Sequence, residues 1–389
     1  MTTIIHIGIR KNSIYIICNM LFFFIRRIVI VIIDEKYKYN DSLIFTLLML
    51  LGEFVAGLSI FIYLSYQFRK KGIDNNKHFR IELIQNDAIM KRPDNIPKIL
   101  LLIFFTSYFD FLEYVIATVY MPKYSVISPT AELRFGGIII ILAALICHFV
   151  LKIKLVKHQF YSLVIIGISL IIIIVIEIIY RGKGKTFSEF CSGYLLVLYN
   201  LVLIPFTDVI EKYLMEFDFL NPFLILTFQS FFGLILVAIY SAGENPFKGI
   251  KRIHEESSNG DFILLLFLLF MYFVLSGILN SYRVLTNCLF SPMVKTLSVY
   301  ILNPLFYLYY FIKGYDFISE GERKWAFFIM NIIISIIISF FGCILTELLV
   351  LSLCGLDKET HYSVTKRAVS QMNSANDSLT DDSDIDSDI

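Results

Sequence analysis

Runs of about 20 apolar residues recur along almost the whole chain, and this pattern limits the fold more than any other feature. A helix rises about 1.5 Å per residue, so a run of this length crosses the hydrocarbon core of a bilayer. The chain is 57% hydrophobic and 17% charged, a composition outside the range of soluble domains. The sequence predicts an all-α polytopic membrane protein with ten transmembrane helices, near 13–33, 42–66, 98–120, 131–152, 158–180, 190–213, 219–241, 261–282, 287–313 and 325–353.

The first of these runs is the weakest, because Arg26 and Arg27 interrupt it. Charged side chains at membrane depth are costly, so this segment is expected to be short, tilted or partly interfacial if it does not span fully. Nine spans therefore remain an alternative to ten.

Loop charges indicate an orientation for the chain. The segment 67–97 is the most basic part of the sequence, which places it in the cytosol under the positive-inside tendency. With an even number of spans, both termini are then cytosolic. The tail 354–389 is rich in Ser and Asp and is expected to be disordered. We expect a multi-pass protein of an endomembrane, either Golgi/ER or lysosome/vacuole.

The sequence also suggests an internal repeat. Ser128-Pro129 precedes the fourth apolar run, and Ser291-Pro292 lies near the start of the ninth, 163 residues further on. The same shift places other apolar runs on one another. With five spans in each half, the halves 13–180 and 190–353 would enter the membrane in opposite senses, as inverted-topology repeats of transporters do. The chance alternative is that two Ser-Pro pairs and a hydropathy match have no common origin.

The region around the fourth and fifth runs carries a resemblance. From Tyr120 to Glu177 the chain reads YMPKYSVISPTAELRFGGIIIILAALICHFVLKIKLVKHQFYSLVIIGISLIIIIVIE, with Leu133-Arg134 early in a span, a basic turn at 152–157 and Gly167 in the next span. This pattern resembles the drug/metabolite transporter superfamily, in particular its nucleotide-sugar transporter-like members.

Three further stretches are similar to the F subgroup of solute carrier family 35. The first is the segment LGEFVAGL around Glu53, and the second is the third run at Asp110. The third is the segment VIEKYLMEFDFLNPFLILTFQSFFGLI between the sixth and seventh runs. The resemblance covers most of 42–350 and implies ten helices in two inverted halves, cytosolic termini and alternating access. Glu132, beside Arg134, departs from the expected neutral residue and leaves the charge of the substrate open.

Two cations are candidates for binding an anionic substrate. Arg134 and Lys295 lie near the start of repeat-related spans, where a guanidinium and an ammonium would suit a phosphate or carboxylate. The alternative is structural: Arg134 would neutralise Glu132 or Asp110, or each cation would extend to a lipid headgroup.

Carboxylates within the apolar runs form a second group. Glu53 lies deep in the second run, while Asp110 and Glu113 are three residues apart and share a helix face. Glu53 would carry a proton or form a structural hydrogen bond to another helix. Asp110 and Glu113 would bind protons or cations, or else hold Arg134 in place.

Further polar residues complete the predicted substrate site. Asn200 and Asn280 lie within the sixth and eighth runs, and Asn303, followed by Pro304, interrupts the ninth. In an unbroken helix Lys295 and Asn303 would share one cavity-facing stripe, and Tyr300 would border it.

The sequence therefore predicts a secondary-active transporter of a small polar metabolite, with exchange of a nucleotide sugar for a nucleotide as the leading mechanism. Proton-coupled export of an amino-acid-like or cationic solute from an acidic organelle is the alternative, favoured if Glu53, Asp110 and Glu132 dominate the cavity. A non-transporting membrane scaffold is the third.

No nucleotide-binding or hydrolase motif occurs in the loops, so no enzyme, metal or cofactor is predicted. The expected partners are a small-molecule substrate and the lipid bilayer, not nucleic acid, and a homodimer is left open.

Overall fold

The structure, a computed structural model, describes residues 5–7, 13–39, 42–71, 95–121, 131–181, 187–218, 220–242, 248–256, 259–312 and 323–351. The described chain is almost entirely helical. A short antiparallel ladder joins β1 (Ile5–Ile7) to β2 (Leu349–Leu351), with Ile5 opposite Leu351. The helices are α1 Ser13–Tyr37, α2 Ser42–Lys71, α3 Ile96–Val115 with a π-helical turn at Ile116–Tyr120, α4 Ala131–Val150, α5 Lys157–Arg181, α6 Phe187–Glu216, α7 Pro222–Tyr240, α8 Lys248–Glu256, α9 Asn259–Leu289, α10 Pro292–Tyr300, α11 Asn303–Ile312 and α12 Arg323–Leu345.

Seven of the described helices are long and apolar enough to cross a membrane, which agrees with the prediction of an all-α, multi-pass membrane protein. They are α1, α2, α5, α6, α7, α9 and α12. Each of the ten predicted apolar runs overlaps a helix or a pair of helices. The count of ten spans stays a prediction, as does the division into two inverted halves.

Two of the described helices, α7 and α10, begin where an Asn or Ser precedes a proline. The side chains of Asn221 and Ser291 accept hydrogen bonds from backbone N–H groups of the first turn, and Pro222 and Pro292 follow them directly. Such a cap satisfies an N–H that the helix leaves without a partner, and proline at the first position has no N–H to satisfy. The Ser291-Pro292 pair therefore starts α10. Ser128-Pro129, the matching pair in the first half of the predicted repeat, falls outside the described residues.

Three predicted boundaries are wrong. The eighth segment does not end at 282 but continues as α9 to Leu289, so the ninth begins at Pro292 rather than 287. The ninth is two short helices, because Pro304 has no N–H to donate to the carbonyl of Tyr300 and the helix breaks before Asn303. The last segment ends at Leu345 and is followed by β2. The predicted tail 354–389 lies outside the described residues.

The most extensive helix contacts join the part of the chain before residue 182 to the part after 186. Helix α2 packs on α7 and α9, α3 on α6 and α7, α4 on α6 and α10, and α5 on α12. The polar side chains of both parts are thereby brought into one interior, and this arrangement positions the site.

Helices α2 and α9 cross at two glycines. A Cβ at Gly52 would overlap the Phe273 carbonyl oxygen, and one at Gly277 would lie 2.5 Å from the Gly52 carbonyl oxygen. Small residues permit this close approach of backbones in membrane helices. The crossing brings Glu53, next to Gly52, against the polar face of α9.

We predict that Gly277→Ala separates α2 from α9 and lowers the melting temperature in detergent. The added methyl group meets backbone atoms, which cannot rotate away, and overpacking of this kind costs about 1–3 kcal/mol. Gly167→Ala in α5 is the matched control, since no atom beyond the adjacent backbone of its own helix and its chain neighbours lies within 4 Å of the place that its new methyl group would take. Its expected effect is a stabilisation of about 0.5–1 kcal/mol. A Gly277→Ala protein as stable as the Gly167→Ala protein would show that the crossing is not tightly packed.

Candidate functional site

A buried cluster of charges joins α6, α9 and α10. Lys295 Nζ donates to Asp208 Oδ1 and, at 3.0 Å, to Glu211 Oε2. Glu211 also accepts from Arg283 Nη2 at 3.2 Å and from Asn287 Nδ2 at 3.0 Å. The side chains of Asp208, Glu211 and Lys295 are at most 4% exposed. We call these five residues the ion cluster; within it two carboxylates balance two cations.

Helical spacing explains how these side chains converge. Asp208 and Glu211 are three residues apart on α6 and therefore project from one face. On α9, Asn280, Arg283 and Asn287 follow at intervals of three and four residues, which gives a polar stripe on an otherwise apolar helix. The stripe faces α6 at one end and α2 at the other.

Glu53 of α2 meets the other end of this stripe. Asn280 Nδ2 donates to Glu53 Oε1, and Ser230 Oγ of α7 donates to Glu53 Oε2 at 3.2 Å. Glu53 is 5% exposed. Its direct hydrogen-bond donors are an amide and a hydroxyl, both neutral.

Asp110 of α3 has a similar environment. Gln229 Nε2 of α7 donates to Asp110 Oδ2 at 2.5 Å, and Ser107 Oγ fixes the same turn of α7 by donating to the Gln229 carbonyl at 2.7 Å. Within the described part of the chain, no Lys or Arg nitrogen lies within 4.0 Å of a carboxylate oxygen of Glu53 or Asp110. We call Glu53 and Asp110 the amide-bound carboxylates.

A second buried ion pair lies on the other side of α10. Arg134 Nε of α4 contacts Glu177 Oε1 of α5, and both side chains are at most 1% exposed. Tyr194 donates its hydroxyl to Glu177 Oε2 at 2.5 Å, and the Arg134 guanidinium lies 5.5 Å from the centre of the Phe327 ring. The charge of Arg134 is thus already neutralised.

A small cavity of about 10 Å³ adjoins Arg134, enough for about one water molecule. Tyr300 and Asn303 line it, and so do Asn331, Ser335 and Ser339, which recur every four residues along α12. In this conformation the helices are closed around these side chains.

The structure corrects two predictions about the site. Arg134 pairs with Glu177 and not with Asp110; the side chain of Glu132, the other predicted partner, is outside the described residues. Lys295 and Asn303 do not share a stripe, because the predicted stripe requires an unbroken helix and the helix breaks before Asn303. Lys295 faces the ion cluster, whereas Asn303 and Tyr300 face the small cavity.

Three other predicted site residues lie on α9, α6 and α3. Asn280 contacts Glu53 directly. Asn200 is buried on α6, and Glu113 is half-buried on α3, one turn beyond Asp110.

Sequence reasoning missed Glu211, Glu177 and Gln229 as site residues. Glu211 follows Asp208 by three residues, the same spacing that pointed to Asp110 and Glu113, so the signal was present. Glu177 and Gln229 are single polar residues in apolar runs, and no spacing within the sequence links them to partners on distant helices.

Comparison with known proteins shows the fold and leaves the family open. No protein-family model and no curated protein matches the chain. A solved structure described only as "Crystal structure of protein" has a TM-score of 0.51 and 13% identity, over 86% of this chain and 96% of that chain. At this identity the likeness shows a shared fold alone.

We predict that Lys295→Met destabilises the protein strongly. The two buried carboxylates of the ion cluster, Asp208 and Glu211, would then share one cation of the cluster, Arg283. Breaking a buried ion pair by removing one partner costs about 3–5 kcal/mol. Adding Asp208→Asn should restore part of the melting temperature, since it removes the unbalanced charge.

Lys251→Met is the matched control, because it removes a lysine from an exposed ion pair. Lys251 Nζ lies 4.0 Å from Glu255 Oε1, and both side chains are more than half exposed. Exposed pairs contribute about 0–1 kcal/mol. Equal melting temperatures for Lys295→Met and Lys251→Met would contradict the assignment of Lys295 to a buried ion cluster.

Proposed function

We propose that the chain is a secondary-active transporter that couples the movement of protons to that of an amino-acid-like or cationic small solute. It works by alternating access in an endomembrane with both termini in the cytosol. Ten spans in two inverted halves and membership of the drug/metabolite transporter superfamily, near solute carrier family 35, belong to the same proposal.

The helix packing supports transport. Contacts between the two parts of the chain are more extensive than contacts within either part, so both contribute side chains to one interior. Transporters built from repeats place their sites at such an interface and often break a helix beside it. The break between α10 and α11, five residues beyond Lys295, is of this kind.

The observation that carries the proposal is the different environment of carboxylates and cations. The predicted anion-binding groups, Lys295 and Arg134, are neutralised by protein carboxylates. Glu53 and Asp110 instead have amide and hydroxyl donors in direct contact. Among these four predicted site residues, the two carboxylates and not the two cations are therefore the ones without an oppositely charged group in direct contact.

A carboxylate in a low-dielectric interior is costly while it is ionised and without a counter-charge. A bound proton or a cationic group on a substrate removes that cost. If the two compete for Glu53 and Asp110, a proton released to one side of the membrane is exchanged for a solute taken up from it. This competition is the coupling step that we propose.

Arg283 connects the amide-bound carboxylates to the ion cluster. It pairs with Glu211 and also interacts electrostatically with Glu53 and Asp110. When Glu53 loses its proton, attraction to Arg283 increases and competes with the Glu211 pair. A shift of Arg283 between these carboxylates would couple protonation on α2 and α3 to the packing of α6 against α9.

Exchange of nucleotide sugars for nucleotides remains the second candidate, supported by the sequence resemblance. It requires Lys295 or Arg134 to exchange a protein carboxylate for a substrate phosphate, which an opened conformation would have to permit.

The experiment is solute uptake into proteoliposomes under an imposed pH gradient, with cationic amino acids, neutral amino acids, nucleotides and nucleotide sugars as labelled substrates. One pH unit supplies about 1.4 kcal/mol per proton, which allows about tenfold accumulation for one-to-one coupling. We expect an amino-acid-like or cationic solute to accumulate in the wild type. In Glu53→Gln we expect the concentration ratio across the membrane to fall to about one while solute counterflow continues, because the amide retains the shape of the side chain but not its proton exchange.

Glu255→Gln is the matched control, since its side chain is 64% exposed on α8 and it should behave as the wild type does. Gradient-driven accumulation that persists in Glu53→Gln would contradict the coupling role. Exchange of nucleotide sugars that is insensitive to the pH gradient would support the second candidate instead.

A further inference from the structure

A lateral cleft separates helices α5 and α6. Both pack near α4, yet they hardly touch each other in the described part of the chain, where the Tyr194–Glu177 hydrogen bond bridges them. The space between them forms a cavity of about 440 Å³, within the size range of ligand pockets. Phe135 and Ile138 of α4 form its floor.

The walls of the cleft are almost wholly apolar. Ile174 and Ile178 of α5 face Leu195 and Leu198 of α6, and the polar group at the floor, Glu177, is neutralised by Arg134. An occupant therefore meets no net charge. This environment fits a hydrocarbon chain and excludes a charged solute.

The cleft opens toward the bilayer rather than toward the polar interior. Ile178 is 51% exposed and Leu195 is 64% exposed, on two helices that are long and apolar enough to span a membrane. From Cys191 to Leu201 the lining extends over about 15 Å of α6, half the thickness of the hydrocarbon core. The cleft is therefore as long as the acyl chain region of one leaflet.

We propose that one acyl chain of a bilayer phospholipid occupies this cleft and is a structural component of the folded protein. Lipid tails are as apolar as leucine, so hydrophobicity does not draw a chain from the bilayer into the cleft. The gain is dispersion contact: an empty gap between α5 and α6 would leave its walls without partner atoms. The lipid thus fills the gap left where α5 and α6 do not pack. This inference does not depend on the transport proposal.

The test is native mass spectrometry of the full chain purified in mild detergent from phosphatidylcholine bilayers. We expect the wild type to retain one phospholipid per protomer. Ile174→Trp places an indole in the cleft and should remove that lipid. Ile171→Trp is the matched control, because Ile171 is the same residue type on the same helix and is 62% exposed, but does not line the cleft; it should retain the lipid.

Cys191 provides a second readout because it lines the cleft and is not disulfide-bonded. Its labelling by a membrane-permeable maleimide should increase several-fold after delipidation and return to its initial rate when phosphatidylcholine is restored. Cys18 on α1, which is also half-buried, serves as the internal reference and should not change. A wild type without bound lipid, equal lipid retention in both tryptophan variants, or Cys191 labelling that is insensitive to lipid would each overturn the proposal.

Discussion

Burial of charge in a low-dielectric interior is the constraint on which this structure depends. Lys295 could not lie at membrane depth alone, and Asp208 and Glu211 could not lie together without it. Mutual neutralisation allows all three to be buried, at the cost of fixing α6 against α10. Arg283 extends the same interaction to α9. The orientation of these helices is thus determined by charge pairing as much as by the packing of apolar side chains.

The same constraint separates two classes of buried carboxylate. Asp208 and Glu211 have cations in contact, and they hold the helices together. Glu53 and Asp110 have amide and hydroxyl donors, which satisfy hydrogen bonds without supplying a counter-charge. In a membrane protein an ionisable group of this second class is by default a candidate functional site, because a proton or a cation that arrives can supply the compensation that its direct contacts do not. We therefore propose that the ion cluster is structural and that the amide-bound carboxylates carry the proposed coupling.

Local signals in the sequence predicted much of this arrangement, whereas partners on distant helices could not be predicted. The lengths of the apolar runs predicted the positions of the helices, although the start of α10 was placed at 287 instead of at the Ser291-Pro292 cap. Glu53 and Asn280 were singled out as polar residues in apolar runs, but not as partners. That contact depends on the crossing of α2 and α9, which brings together residues 227 positions apart. Glu177 was missed as a partner of Arg134 for the same reason: the sequence offered Glu132 or Asp110, whereas the packing of α4 on α5 brings Glu177 into contact.

Infrared difference spectroscopy of the reconstituted protein tests most directly whether the amide-bound carboxylates exchange protons, as we propose. A protonated carboxyl group has a C=O stretching band distinct from that of a carboxylate. The account predicts a band of buried protonated carboxyl groups in the wild type that responds to pH and loses separate components in Glu53→Gln and in Asp110→Asn. A spectrum without such a band, or one that both substitutions leave unchanged, would contradict the account.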